Sequence, residues 1–94
     1  MISLWVRAIK KQRIVRSEMI EMTDDLQADV GEALARMDLP RPLFLGKHDR
    51  EWAQFQQTAF LKDHFVEAIP YDKIEIERVD SEAKKAKSQD PRNG

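Results

Sequence analysis

The feature that most constrains the fold is the alternation of apolar and polar side chains over residues 2–22, ISLWVRAIKKQRIVRSEMIEM. Strand side chains point alternately to the two faces of a sheet, so this pattern predicts two strands joined by a turn at Lys11 and Gln12. If Lys10 pairs with Arg13, one face of the hairpin gathers the side chains expected in the core: Ile2, Leu4, Val6, Ala8, Val15 and Met19.

In the same register, the outer face of the hairpin carries a mixture of apolar and cationic side chains. We identify it as the candidate interaction surface, made of Trp5, Arg7, Ile9, Ile14, Arg16 and Ile20. Arg7 and Arg16 are expected to be cross-strand neighbours, and like charges in that position are destabilising unless carboxylates lie close by. Glu18, Glu75 and Glu77 are the expected partners, the last two if the final strand lies beside the hairpin.

The first helix is predicted from Thr23 to Leu39, before Pro40, by one apolar stripe along a helical repeat. Thr23 is the expected N-cap, and Gly31 in the middle of the helix could permit a close approach to the sheet. The stripe consists of Leu26, Val30, Ala33, Leu34 and Met37.

The second half of the chain predicts shorter elements. They are a short strand at 43–45, a helix at 47–58, a strand at 59–61, a turn at 62–65 and a last strand at 72–79. In the last strand Ile74 and Ile76 are expected to face inward, and Glu75 and Glu77 outward. Trp52 and Phe55 of the second helix would either cover the outer hairpin face or pack with the first helix and leave that face open.

These elements predict an α+β fold, in which an N-terminal β-hairpin belongs to an antiparallel or mixed sheet of about four strands. One long and one shorter helix would pack on the sheet. Residues 1–80 are expected to form a single domain and residues 81–94, which lack apolar anchors, a solvated tail.

Composition narrows the functional classes. The chain has 94 residues, a formal net charge of −1 and no cysteine, so disulfides, thiolate nucleophiles and zinc ribbons are excluded. Its three glycines form no phosphate-binding loop, and no serine stands in a GxSxG motif. We therefore expect no enzyme activity and no cofactor. The N-terminal alternation resembles neither a signal peptide nor a membrane span, which favours a cytoplasmic protein that does not contact membranes.

Four polar residues form a weaker candidate cluster: Arg41, His48, Glu51 and His64. His48 and Glu51 would share a helix face, and His64 could supply the third ligand of a zinc site. The chain has no HExxH motif, so exposed or capping histidines are favoured over a metal site. Arg41, held between two prolines, is expected to cover a helix end in preference to clamping a carboxylate.

The run LPRPLFLGKHDREWAQFQQTAFLKDHF, followed by PYDKIEIE, resembles a family of small bacterial proteins of unknown function with PRP, KH(D/E)RE, HF and DKIEIE elements. The resemblance extends over most of the chain up to Val79. It implies a bacterial protein with a single compact domain, and it implies no activity, cofactor or partner.

These observations favour a non-enzymatic interaction domain that forms a homodimer, or binds another protein, through the outer hairpin face. The alternative is a nucleic-acid accessory module that uses the basic hairpin tip, Lys10, Lys11 and Arg13. The near-zero net charge and the acidic segments disfavour that alternative, because they would repel phosphates. A metal-assisted hydrolase built on His48, Glu51 and His64 is the third hypothesis.

Overall fold

Two helices and four strands make up the fold in a computed structural model that describes residues 2–80. The strands form one antiparallel sheet in the order β2-β1-β4-β3, which confirms the predicted α+β class and the N-terminal hairpin. The elements in chain order are β1 (Ile2–Lys10), β2 (Arg13–Glu21), α1 (Leu26–Arg36), α2 (Gly46–Phe55), β3 (Gln57–Leu61), a single 3₁₀ turn (Lys62–His64) and β4 (Lys73–Asp80). The predicted tail, residues 81–94, lies outside the described residues.

The hairpin turn lies where the sequence predicts it, with Lys10 paired to Arg13. Lys11 and Gln12 have φ angles of 53° and 65°. Two left-handed residues are typical of the two-residue turn whose twist matches that of the flanking strands. The Lys11 amide donates a hydrogen bond of 2.7 Å to Oδ2 of Asp72, which ties the turn to the segment before β4.

A β-bulge at Val15 reverses the predicted faces of β2. Ile9 lies opposite Ile14, but Ala8 lies opposite Arg16, so Val15 is an extra residue in β2. Because strand side chains alternate with a period of two, one extra residue exchanges the faces of everything that follows it. The assignment of Val15 and Met19 to the core, and of Arg16 and Ile20 to the outer face, was therefore wrong.

The core lies between the sheet and the two helices. It includes Ile20, which is opposite Leu4 and 5% exposed, whereas Met19 is 46% exposed. Phe65 and Ile69, from the connection to β4, are buried although the sequence pattern did not indicate them, and Phe55, which was expected to pack against the hairpin or the first helix, is exposed. The buried cluster consists of Leu4, Val6, Ala8, Ile20, Val30, Ala33, Leu34, Met37, Phe60, Phe65, Ile69, Ile74 and Ile76.

Helix α1 begins later than predicted because Asp25, not Thr23, is its N-cap. The Asp25 carboxylate accepts a hydrogen bond of 3.1 Å from the Ala28 amide. Thr23 instead donates both its amide and its hydroxyl, each at 2.8 Å, to the buried carboxylate of Asp29. The segment between β2 and α1 is thus held by the helix that follows it.

The predicted strand at 43–45 is absent from the described residues. Pro42 forms only an isolated bridge with Phe65, and the Leu43 amide donates to the His64 carbonyl at 2.7 Å. Prolines on both sides of Arg41 remove the amides that a longer ladder would need. The later strands and the turn at 62–64 form close to their predicted positions.

Both helices lie on the same face of the sheet. Helix α1 contacts β1 and β2, and α2 contacts β3. Trp52 packs against the buried core, and the side chain of Phe55 is 60% exposed. Neither helix therefore covers the opposite face. Within residues 2–80, no helix has the length and apolar composition needed to cross a membrane.

Candidate functional site

The outer sheet face is the surface of the sheet that points away from the two helices. Cross-strand pairing places these side chains on it: Trp5, Arg7 and Ile9 from β1, Ile14 and Met19 from β2, Ala59 and Leu61 from β3, and Lys73, Glu75 and Glu77 from β4. It combines an ion-pair network at its centre with apolar side chains around it.

Arg7 is the centre of that network. Its Nε donates to Oε1 of Glu75 at 3.2 Å, and one terminal nitrogen donates to Oε1 of Glu77 at 2.8 Å. The guanidinium carbon also lies 4.4 Å from the ring centroid of Trp5, within range of a cation–π contact. The two predicted glutamate partners in β4 are confirmed, and the Arg7 side chain is only 11% exposed.

Arg16 takes no part in this network. The bulge turns it to the helix side, where a guanidinium nitrogen donates to the Met37 carbonyl at 3.0 Å near the end of α1. Arg7 lies opposite Ser17, so the predicted Arg7–Arg16 contact and the role of Glu18 as the diagonal partner of Arg7 were both wrong. A cation near the last carbonyls of a helix stabilises it through the helix dipole.

Four of the six predicted surface residues therefore lie on the outer sheet face: Trp5, Arg7, Ile9 and Ile14. Ile9 is buried and Ile14 is 54% exposed. Met19, which lies opposite Trp5 and is 46% exposed, belongs to the surface although the alternation assigned it to the core. The position of Met19 on the outer sheet face could have been predicted from the sequence only if the bulge had been known.

A shallow groove of about 340 Å³ adjoins the network at β3. Its lining includes Arg7 and Glu75 of the network and Glu51 and Phe55 of α2. The Glu51 carboxylate accepts a hydrogen bond from the Thr58 hydroxyl. Arg7 and Glu51 are thus both engaged with neighbouring side chains of the protein.

His48 and His64 lie close together, as a shared zinc site would require, but each ring caps a helical turn. The Nδ1 atom of His48 accepts the Leu45 amide, and that of His64 accepts the Leu61 amide, both at 2.9 Å. A neutral imidazole that accepts at Nδ1 carries its proton on Nε2, so neither ring has a lone pair left for a metal. Within residues 2–80 no group of three or more His, Asp or Glu side chains is arranged to hold a metal ion.

Burial affects the protonation of His48. Its side chain is 1% exposed, and its Nε2 has no hydrogen-bond partner within the described part of the chain. Burial, followed by the nearby charges of His64 and Lys47, lowers the pKa of His48 below its ordinary value of 6.5. A neutral His48 is the form that keeps the Leu45 hydrogen bond.

Arg41 packs against the middle of α1, not over a helix end. A Cβ on Gly31 would lie 2.6 Å from its Nε and 2.9 Å from its guanidinium carbon. Gly31 therefore permits the close approach of the Arg41 side chain. The sequence had suggested instead that Gly31 permits a close approach of the helix to the sheet. The side chains of the four weaker candidates have different partners: Arg41 packs against Gly31, Glu51 accepts a hydrogen bond from Thr58, and His48 and His64 contact each other.

No protein-family model, curated protein or solved structure matches this chain.

Proposed function

We propose that this protein is a non-enzymatic interaction domain that self-associates through the outer sheet face at its hairpin. The observation that carries the proposal is that both helices pack on one side of the sheet and leave Trp5, Ile14 and Met19 on the other. Apolar side chains gathered on a surface that neither helix covers are typical of contact sites. The paired state of Arg7 favours this use, because its charge is already neutralised by Glu75 and Glu77.

The distribution of charge favours a second copy as the partner. On the outer sheet face Lys73 lies at the turn end, opposite Ile9, and Glu21 lies at the other end, opposite Ser3. Two copies related by a two-fold axis, with strands running in opposite directions, bring Lys73 of each copy toward Glu21 of the other. The same surface is therefore complementary to itself.

Sedimentation velocity at low and high micromolar concentration tests the proposal. We expect a concentration-dependent dimer that Trp5→Glu converts to a monomer, since a carboxylate would be buried at the contact. Val66→Glu is the matched control, because Val66 is 82% exposed and lies outside the sheet. Circular dichroism reports folding, and Trp5→Ser gives a milder variant. A wild-type protein that stays monomeric, or a folded Trp5→Glu variant that dimerises normally, would contradict the proposal.

The alternative is nucleic-acid binding at the hairpin tip, and it is favoured by one observation. Lys10, Lys11 and Arg13 are all exposed there, while Arg7 and Arg16 bond within the protein. Such binding would weaken steeply as salt increases. Electrophoretic shift assays at low salt, compared with a Lys10→Glu and Lys11→Glu double variant, decide this alternative; no shift at all would eliminate it.

A further inference from the structure

Strand β2 is at the edge of the sheet. It has nine residues, and β1 is its only neighbouring strand within the described chain. Except for Glu18 and Ile20, all its residues are exposed. An exposed edge strand presents unpaired amides and carbonyls that can bind another strand.

The sequence of β2, RIVRSEMIE, has an unusual symmetry about its central residue, Ser17. Residues at equal distances on either side of Ser17 are either both apolar or of opposite charge. The matched pairs are Arg16 with Glu18, Val15 with Met19, Ile14 with Ile20, and Arg13 with Glu21.

We propose that β2 pairs antiparallel with β2 of a second copy, in a register centred on Ser17. This inference rests on the proposed self-association but not on the face that was proposed to carry it. In an antiparallel pair around a two-fold axis, residues at equal distances from the centre lie opposite each other. Arg16 of each strand then meets Glu18 of the other, and the two sheets become one continuous sheet.

The structure supports the central contacts most directly. From Arg16 onward β2 is regular, and Arg16 and Glu18 point to the same side of the sheet. Within residues 2–80 Glu18 makes no ion pair, and it lies half-buried on the same side of the sheet as Arg16. Val15 and Met19, at 47% and 46% exposure, would be covered together at the seam. Beyond the bulge, Ile14 lies on the outer sheet face whereas Ile20 lies in the core, so regular pairing is confined to residues 15–19.

Charges and bulges on an edge strand usually protect it from pairing with other strands. Here the order of the charges along β2 disfavours some alignments with a second β2 strand and favours another. A parallel in-register alignment would place Arg16 on Arg16 and Glu18 on Glu18, and would be repelled. The antiparallel alignment about Ser17 is attractive, so the edge accepts one partner strand and one register. An interface of a single strand pair is small, and we expect weak, salt-sensitive dimerisation.

A charge-swap experiment tests the register. Glu18→Arg places the introduced arginine opposite Arg16 of the other copy, and Arg16→Glu places the introduced glutamate opposite Glu18. Each variant alone should raise the dimer dissociation constant by more than about tenfold. An equimolar mixture of the two, and a single chain that carries both changes, should restore dimerisation. Glu67→Arg is the matched control, because Glu67 is exposed outside the sheet.

The outcomes separate this inference from the proposed function. Arg16→Glu also loses the bond to Met37, so thermal unfolding of each variant must show that it is folded. Loss of the dimer in Glu18→Arg, with recovery in the mixture, supports edge pairing even if Trp5→Glu has no effect. A dimer that Trp5→Glu abolishes but Glu18→Arg leaves intact overturns edge pairing and retains the face. A wild-type monomer at high micromolar concentration overturns both.

Discussion

The rings of His48 and His64 meet edge to face, with their centroids 4.7 Å apart and their planes at 85°. Each histidine is the third residue of a helical turn and accepts the amide of the residue before that turn. Two separate chain segments are therefore capped by the same device at one corner of the protein. Both caps depend on a neutral ring, because a proton on Nδ1 would remove the acceptor.

Acid should destabilise the protein through His48. Its pKa is lowered in the folded state by burial and by the charge of His64, so below pH 6.5 the unfolded chain binds a proton that the folded protein does not. The contribution of His48 to stability is complete above pH 6.5 and is lost as the pH falls from there through the folded-state pKa. Within that window one proton corresponds to a slope of at most about 1.4 kcal/mol per pH unit.

Urea unfolding measured from pH 7.5 to pH 5 checks this expectation. His48→Gln removes the titrating group and should flatten the profile, although it also lowers stability at neutral pH by loss of the ring. An identical pH dependence in the wild-type protein and in His48→Gln would show that other groups are responsible.

Gly31→Ala should leave the protein at least as stable as the wild type. Alanine is favoured over glycine in a helix by about 1 kcal/mol, and the atoms that its Cβ would meet belong to the end of the flexible Arg41 side chain. In an Arg41→Ala background the full gain of about 1 kcal/mol should appear, because nothing then has to move. Thermal unfolding of the wild type, the two single variants and the double variant measures the free-energy cost of displacing the Arg41 side chain. A large loss of stability in the Arg41→Ala background would indicate a different obstruction at Gly31.

Asp29→Ala should destabilise the protein by about 1.5–3 kcal/mol, since it removes two charge-assisted hydrogen bonds to Thr23. The loss also leaves the Thr23 amide without its acceptor. Asp24→Ala is a suitable control, because Asp24 is an exposed acid only a few residues away. Chemical unfolding of both variants is the measurement, and equal effects would contradict the anchoring role of Asp29.

Because of the bulge, alanine substitutions at the neighbouring residues Ile20 and Met19 should have very different effects on stability. Ile20→Ala should cost about 2–5 kcal/mol, because it leaves a cavity beside Leu4. Met19→Ala should cost less than about 0.5 kcal/mol in the monomer, because Met19 is a surface residue there. Unfolding in dilute solution, where self-association is minimal, compares the two. The regular alternation of the sequence would have given the reverse order.

That reversal illustrates what the sequence could and could not predict. Local alternation was sufficient for the hairpin, its turn and β4, because these depend on a short-range repeat. The pairing of Arg7 with Glu75 and Glu77 was predicted only on the condition that β4 lies beside β1, which the structure shows. The sequence could not predict which side chains of β2 face the core, because valine at position 15 does not indicate a bulge. The capping role of the histidines was only one of several possibilities until their neighbours in space were known.

The order of the strands also has a consequence for how the protein acquires its structure. The centre of the sheet joins β1 to β4, and the Arg7–Glu75 ion pair spans 68 positions along the chain. Pairings between such distant segments make folding slow, because the whole intervening chain must close into a loop first. During synthesis the hairpin leaves the ribosome before β4 does. Arg7 therefore lacks the carboxylates of Glu75 and Glu77 until β4 has also been made. Strand β4, the last strand within residues 2–80, therefore completes both the centre of the sheet and the charge balance of the outer sheet face.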